Sequence, residues 1–137
     1  MNLRSCLASL VAVGGLARRG PAQATAGAAD PVGVWRGTST CLVRPSPCTD
    51  EVVVYRITRS TSDKASDSVS MDARKIVNGQ EEEMGVLACQ LATNGSTLTC
   101  AIRSALWRFT VRRDSLVGEL RLSDSTKFRD VRAARSR

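Results

Sequence analysis

Histidine is absent from all 137 residues. That removes Ser-His-Asp and Cys-His catalysis, His-ligated zinc and His-ligated haem. Aromatic residues are scarce, with two Trp, one Tyr and two Phe. A nucleic-acid binder concentrates its cations and offers aromatic stacking platforms. Here the 20 Lys+Arg are nearly all Arg, scattered among apolar positions as on solvated strand faces, so no nucleic acid is expected. No apolar run reaches the ~20 residues needed to span a bilayer, and no Gly-rich phosphate loop occurs. Nearly all the acidic residues fall in turns or in charged cross-strand pairs, which leaves no evident acid/base couple. The expectation is therefore no enzyme activity, no catalytic residue, no cofactor, no metal and no stable membrane span.

The length suits one domain. Its first 24 residues have the layout of a secretory signal peptide. Arg4 supplies the positive start, Cys6–Ala17 is an uncharged and mostly apolar run, and Ala22-Gln23-Ala24 is an A-x-A cleavage pattern. Arg18 and Arg19 follow the apolar run, whereas a twin-Arg export signal places its pair before it. The expected organisation is a signal peptide over 1–24, a flexible segment over 25–31, a β domain over 32–133 and a C-terminal tail over 134–137. The expected location is secreted or periplasmic.

Loss of the signal peptide leaves four cysteines, Cys41, Cys48, Cys89 and Cys100. An even number in a short exported domain implies two disulfides. Asn94-Gly95 is a strong hairpin signal, and a turn centred on it sets Cys89 opposite Cys100. A four-residue loop, Thr93–Ser96, makes theirs a non-hydrogen-bonded pair, where side chains are closest. Cys41 and Cys48 bracket a turn stiffened by Pro45 and Pro47. A four-thiolate zinc site is disfavoured, because the spacings do not form C-x₂₋₄-C knuckles.

Period-two alternation dominates after Pro31, and no 3.6-period stripe competes with it. Eight strands are expected: about Val32–Cys41, Glu51–Arg59, a third and fourth flanking Asn78-Gly79, Thr97–Arg103, Leu106–Arg112, Leu116–Leu122 and Thr126–Ala133. Ser60–Asp67 reads as a loop. The Asn78-Gly79 turn sets Lys75 opposite Glu82, Arg74 opposite Glu83, Ala73 opposite Met84 and Met71 opposite Val86. Met84 and Val86 share one parity while Leu87, Cys89 and Leu91 share the other. Either both faces are buried, or a bulge near Gly85 switches the strand. Strands joined by sequential hairpins favour an all-β, eight-stranded antiparallel up-and-down barrel with two disulfides over a sandwich.

The first strand reads Gly33-Val34-Trp35-Arg36-Gly37. This G-x-W resembles the calycin group of small barrels, which includes lipocalins and avidins, and Leu116-Val117-Gly118 resembles the L-x-G of avidin strands. The resemblance implies that Gly33 and Trp35 close one barrel end beneath an Arg from near the last strand, Arg129 or Arg132. Two departures matter. Avidin-type vitamin sites carry more tryptophans, and the haem-binding calycins need a histidine. The chain also resembles barrel-shaped periplasmic inhibitors of metalloproteases, which act through an N-terminal tail; Thr25–Asp30 is the corresponding segment. The lipocalin-like expectation is a small apolar ligand held inside the barrel. Trp35, Tyr55, Trp107 and Phe109 either line that cavity or form the core. The alternative is an extracytoplasmic protein-binding module, such as an inhibitor of a secreted protease or other hydrolase.

Overall fold

The computed structural model describes residues 29–60 and 66–137. The expected signal peptide, and residues 25–28 of the expected flexible segment, lie outside the described residues. Eight strands follow in chain order: β1 (Gly33–Cys41), β2 (Glu51–Arg59), β3 (Ser68–Val77), β4 (Gln80–Leu91), β5 (Thr97–Ile102), β6 (Ala105–Val111), β7 (Ser115–Leu122) and β8 (Lys127–Arg135). Each pairs antiparallel with the next, and β8 pairs back onto β1 to close a barrel. Closure leaves no long-range crossover, because every connection is a hairpin. Alternation sends Trp35, Val53, Tyr55, Ile57, Met71, Leu98, Cys100, Phe109, Val111, Leu116 and Val131 into one core. Both expected disulfides are formed, Cys41–Cys48 and Cys89–Cys100.

Two hairpins show how local chemistry sets the register. Asn78 and Gly79 both have positive φ, 51° and 79°, as a two-residue type I′ turn requires. Lys75 accordingly pairs with Glu82 and Arg74 with Glu83. One step further, the expected register fails. Ala73 pairs with Gly85 rather than Met84, and Met71 with Leu87 rather than Val86. The extra residue is accommodated at a bulge beside Gly85, whose φ is 133°. Of the two alternatives for the parity conflict, the bulge is the one adopted. It turns Leu87 and Cys89 inward and leaves Val86 61% exposed. The ion pairs also differ from simple facing neighbours. Arg74 reaches Asp72 at 3.0 Å, Lys75 lies 3.9 Å from Glu51, and Arg56 holds Glu81 with both nitrogens.

The β4–β5 hairpin has the four-residue loop Thr93–Ser96. Asn94 Oδ1 accepts from the Ser96 and Thr97 amides at 2.9 and 3.1 Å. The Cys89 and Cys100 Cα atoms are 4.2 Å apart, the spacing of a non-hydrogen-bonded pair. Only Cys89–Cys100, Gln90–Thr99 and Leu91–Leu98 are paired between these strands. Beyond them the strands part, and β4 from Glu81 to Ala88 has no strand on that edge among the described residues.

Trp35 and an arginine close one barrel end, and the arginine is neither Arg129 nor Arg132. Trp35 is fully buried and its indole N–H donates to the Pro31 carbonyl at 2.9 Å. The guanidinium over its ring is that of Arg135, 4.1 Å from the centroid, with Gly33 beneath the same group. Arg129 and Arg132 do not serve this role. The β1–β8 ladder sets Trp35 against Arg135, while Arg129 pairs with Cys41 near the opposite end. Arg132 has outward parity and is exposed. Two boundaries change with it: β8 runs to Arg135 instead of ending at Ala133, and residues 29–31 are docked rather than free, with Pro31 buried.

Candidate functional site

The other barrel end holds a cup of about 290 Å³. Its walls are Val53 and Tyr55 of β2, Ala73 of β3, Leu87 of β4, Trp107 and Phe109 of β6 and Leu120 of β7. All are inward-facing positions of their strands, so period-two patterning builds the wall. Met84, Gly85 and Ile102 also border it. Those residues flank the place where β4 and β5 separate.

Three aromatic rings form one side. Trp107 and Phe109 are stacked at 5.4 Å with planes 13° apart, and Tyr55 meets Phe109 edge-on at 5.9 Å and 66°. Gly118 makes this possible. A Cβ there would clash with the Cδ1 and Cε1 edge of the Phe109 ring, so only glycine lets that ring rest against β7. Of the four aromatics singled out in sequence, Tyr55, Trp107 and Phe109 border the cup. Trp35 does not, because it plugs the opposite end.

The mouth is polar, and sequence patterning did not single out its members as a group. Arg129 Nη1 donates to Ser39 Oγ at 3.1 Å and lies 3.5 Å from Glu51 Oε2, while its Nη2 donates to the Thr49 carbonyl at 3.0 Å. Lys75 stands on the far side of Glu51. The signal available in sequence was parity: Ser39, Glu51 and Arg129 all continue inward-facing rows, where charged residues are unusual. Burial pushes the Tyr55 phenol well above its ordinary range; Glu51 adds to the rise and Arg129 opposes it. Every sealed-off side-chain nitrogen or oxygen among the described residues has a hydrogen-bond partner.

Two other depressions are less suited to a ligand. One is a broad groove at the Trp35 end, bordered by Asp30, Asn94, Arg112, Arg113 and Asp114. The other lies on the outer face, bordered by Arg108, Glu119, Lys127 and Asp130. Among the described residues, no three His, Cys, Asp or Glu side chains converge as for a metal ion. No helix there is long and apolar enough to cross a membrane.

No protein-family model and no curated protein matches this sequence. Among solved structures it is similar to the S-type phycobiliprotein lyase CPES of Guillardia theta. The identity is 12%, over 78% of this chain and 89% of that one, with a TM-score of 0.40. Neither chemistry nor ligand is carried over from a likeness of that degree.

Proposed function

We propose that this protein is an exported, non-enzymatic barrel that binds a small, mostly apolar ligand in the cup. The observation that carries the proposal is the cup itself. It is a concave site of about 290 Å³ with an aliphatic and aromatic wall. Small-molecule sites start near ~300 Å³ and combine such walls with a few convergent polar groups. Closure of the far end by Trp35 makes it a blind pocket. Glu51 is the one carboxylate among the residues bordering it, and it is engaged by Arg129. Paired-carboxylate hydrolysis therefore has no second member there. Two disulfides in a domain this small favour an oxidising compartment.

A protein-binding role is favoured by one specific observation, the unpaired edge of β4 with Met84 and Val86 exposed beside it. Native mass spectrometry of the protein from its host's exported fraction separates the two. The expected result is an added small mass that is lost on denaturation. A native mass equal to the bare chain, or to a complex with a second protein, would overturn the ligand proposal.

A further inference from the structure

Resting on the ligand reading above, we infer that the cup selects a neutral ring compound carrying one acceptor oxygen, held by the Tyr55 hydroxyl, and rejects carboxylates. The inference comes from asking which polar groups at the mouth are still free. Arg129 is not. Its side chain is only 13% exposed, and both terminal nitrogens are engaged, Nη1 by Ser39 and Glu51 and Nη2 by Thr49. A ligand carboxylate would have to displace those contacts and sit beside the Glu51 carboxylate. Lys75 is half-buried, does not border the cup and lies 3.9 Å from the other Glu51 oxygen.

Tyr55 is different. The residue is 3% exposed, yet its hydroxyl has no hydrogen-bond partner among the described residues. Every fully sealed polar side-chain atom there does have one. What remains accessible of Tyr55 is thus its hydroxyl, which borders the cup. Being accessible and unpartnered, that O–H is free to donate to an acceptor that enters the cup. Burial raises the Tyr55 pKa, with Glu51 adding to the rise and Arg129 opposing it, so the phenol is a neutral donor at neutral pH. Beside it Trp107, stacked on Phe109 and only partly buried, offers an aromatic surface to a ring.

Three shape-matched probes test this by ligand-observed NMR titration at neutral pH: acetophenone, ethylbenzene and benzoate. Acetophenone should bind about fivefold more tightly than ethylbenzene, the scale of one neutral hydrogen bond. Benzoate should bind at least about tenfold more weakly than acetophenone, because its charge would be buried without a free cation. Tyr55→Phe should remove the acetophenone advantage and leave ethylbenzene binding unchanged, which also shows that the variant is folded. Benzoate binding as tightly as acetophenone would overturn the inference, as would an advantage that survives Tyr55→Phe. If ethylbenzene equals acetophenone on the unaltered protein, the apolar cup stands and the role of Tyr55 falls. If none of the three binds, the ligand reading itself fails.

Discussion

Arg135 covers Trp35. Its guanidinium carbon lies 4.1 Å from the ring centroid, and its nitrogens donate to the carbonyls of Asp30, Val32 and Arg113. One side chain thus ties the N-terminal segment and the β6–β7 turn to the last strand, over the buried indole. Arg135→Ala loses a cation–π contact of ~1 kcal/mol and leaves three carbonyls without their donor. Urea unfolding should show a loss of about 2–3 kcal/mol. Arg135→Lys should recover less than half of it, because a point charge cannot fork to three acceptors. Arg132→Ala, on the exposed face, should stay within about 0.5 kcal/mol. Equal losses for Arg132 and Arg135 would refute the assignment.

The choice of arginine shows where pattern reading ends. Strand count, closure and both disulfides were legible because alternation, turn dipeptides and cysteine spacing are local signals. Glu51–Arg59 was legible to the residue, since a β-branched run ends there in polar sequence. Which arginine meets Trp35 depends on the β1–β8 register, set between strands about a hundred residues apart. No turn encodes that register, so Arg129 and Arg132 were as eligible as Arg135. The Met84–Val86 parity conflict left a bulge and a strand buried on both faces as alternatives, and the β3–β4 ladder decides for the bulge. Trp107 and Phe109 were legible as inward residues, but alternation alone does not separate a cavity wall from a filled core. The cup's polar mouth was not legible, because Ser39, Glu51, Lys75 and Arg129 come from four strands and meet only when the barrel closes.

The two disulfides close loops of similar length, with sequence separations of 7 and 11. Chain entropy therefore assigns them nearly equal worth, about 2.5 and about 3 kcal/mol. What separates them is the structure each one holds. Cys89–Cys100 spans the last of only three paired positions between β4 and β5, whereas Cys41–Cys48 closes a loop before β2. Paired Cys→Ala variants of each bridge should lose similar stability. Hydrogen exchange should tell them apart: losing Cys89–Cys100 should deprotect β5 and residues 86–91 selectively. Equal protection of β5 in the two variants would show that the seam is held by something else.

Gly118 and Phe109 make a second close pair. Gly118→Ala places a methyl inside the volume of the Phe109 ring, and overpacking of this kind costs about 1–3 kcal/mol. Phe109 is itself wedged between Tyr55 and Trp107, so the displaced ring must disturb the aromatic wall. The expected signs are a stability loss near 2 kcal/mol and a changed near-ultraviolet circular dichroism spectrum. Adding Phe109→Leu should relieve the clash, so that the double variant is more stable than the two separate losses predict. Strict additivity would mean that the ring does not rest on Gly118.

Tyr55 is the only tyrosine in the chain, so phenolate absorbance near 295 nm reads this one group. Burial, the leading cause, together with Glu51, raises its folded pKa above the unfolded value of about 10. The sign follows from linkage. Below about pH 10 both states hold the phenolic proton and the group contributes nothing to the slope. Above it the unfolded chain releases the proton while the folded chain keeps it, so stability falls as pH rises. In urea, absorbance should rise around pH 10. In the native protein it should stay flat there and appear only together with loss of the near-ultraviolet signal. Tyr55→Phe should flatten that part of the alkaline decline. Lys127 should leave a residual slope, because its contact with Asp130 raises its own pKa and is lost on deprotonation. A native phenolate that titrates near pH 10 without unfolding would place the hydroxyl in open solvent. It would remove the polar anchor from the cup.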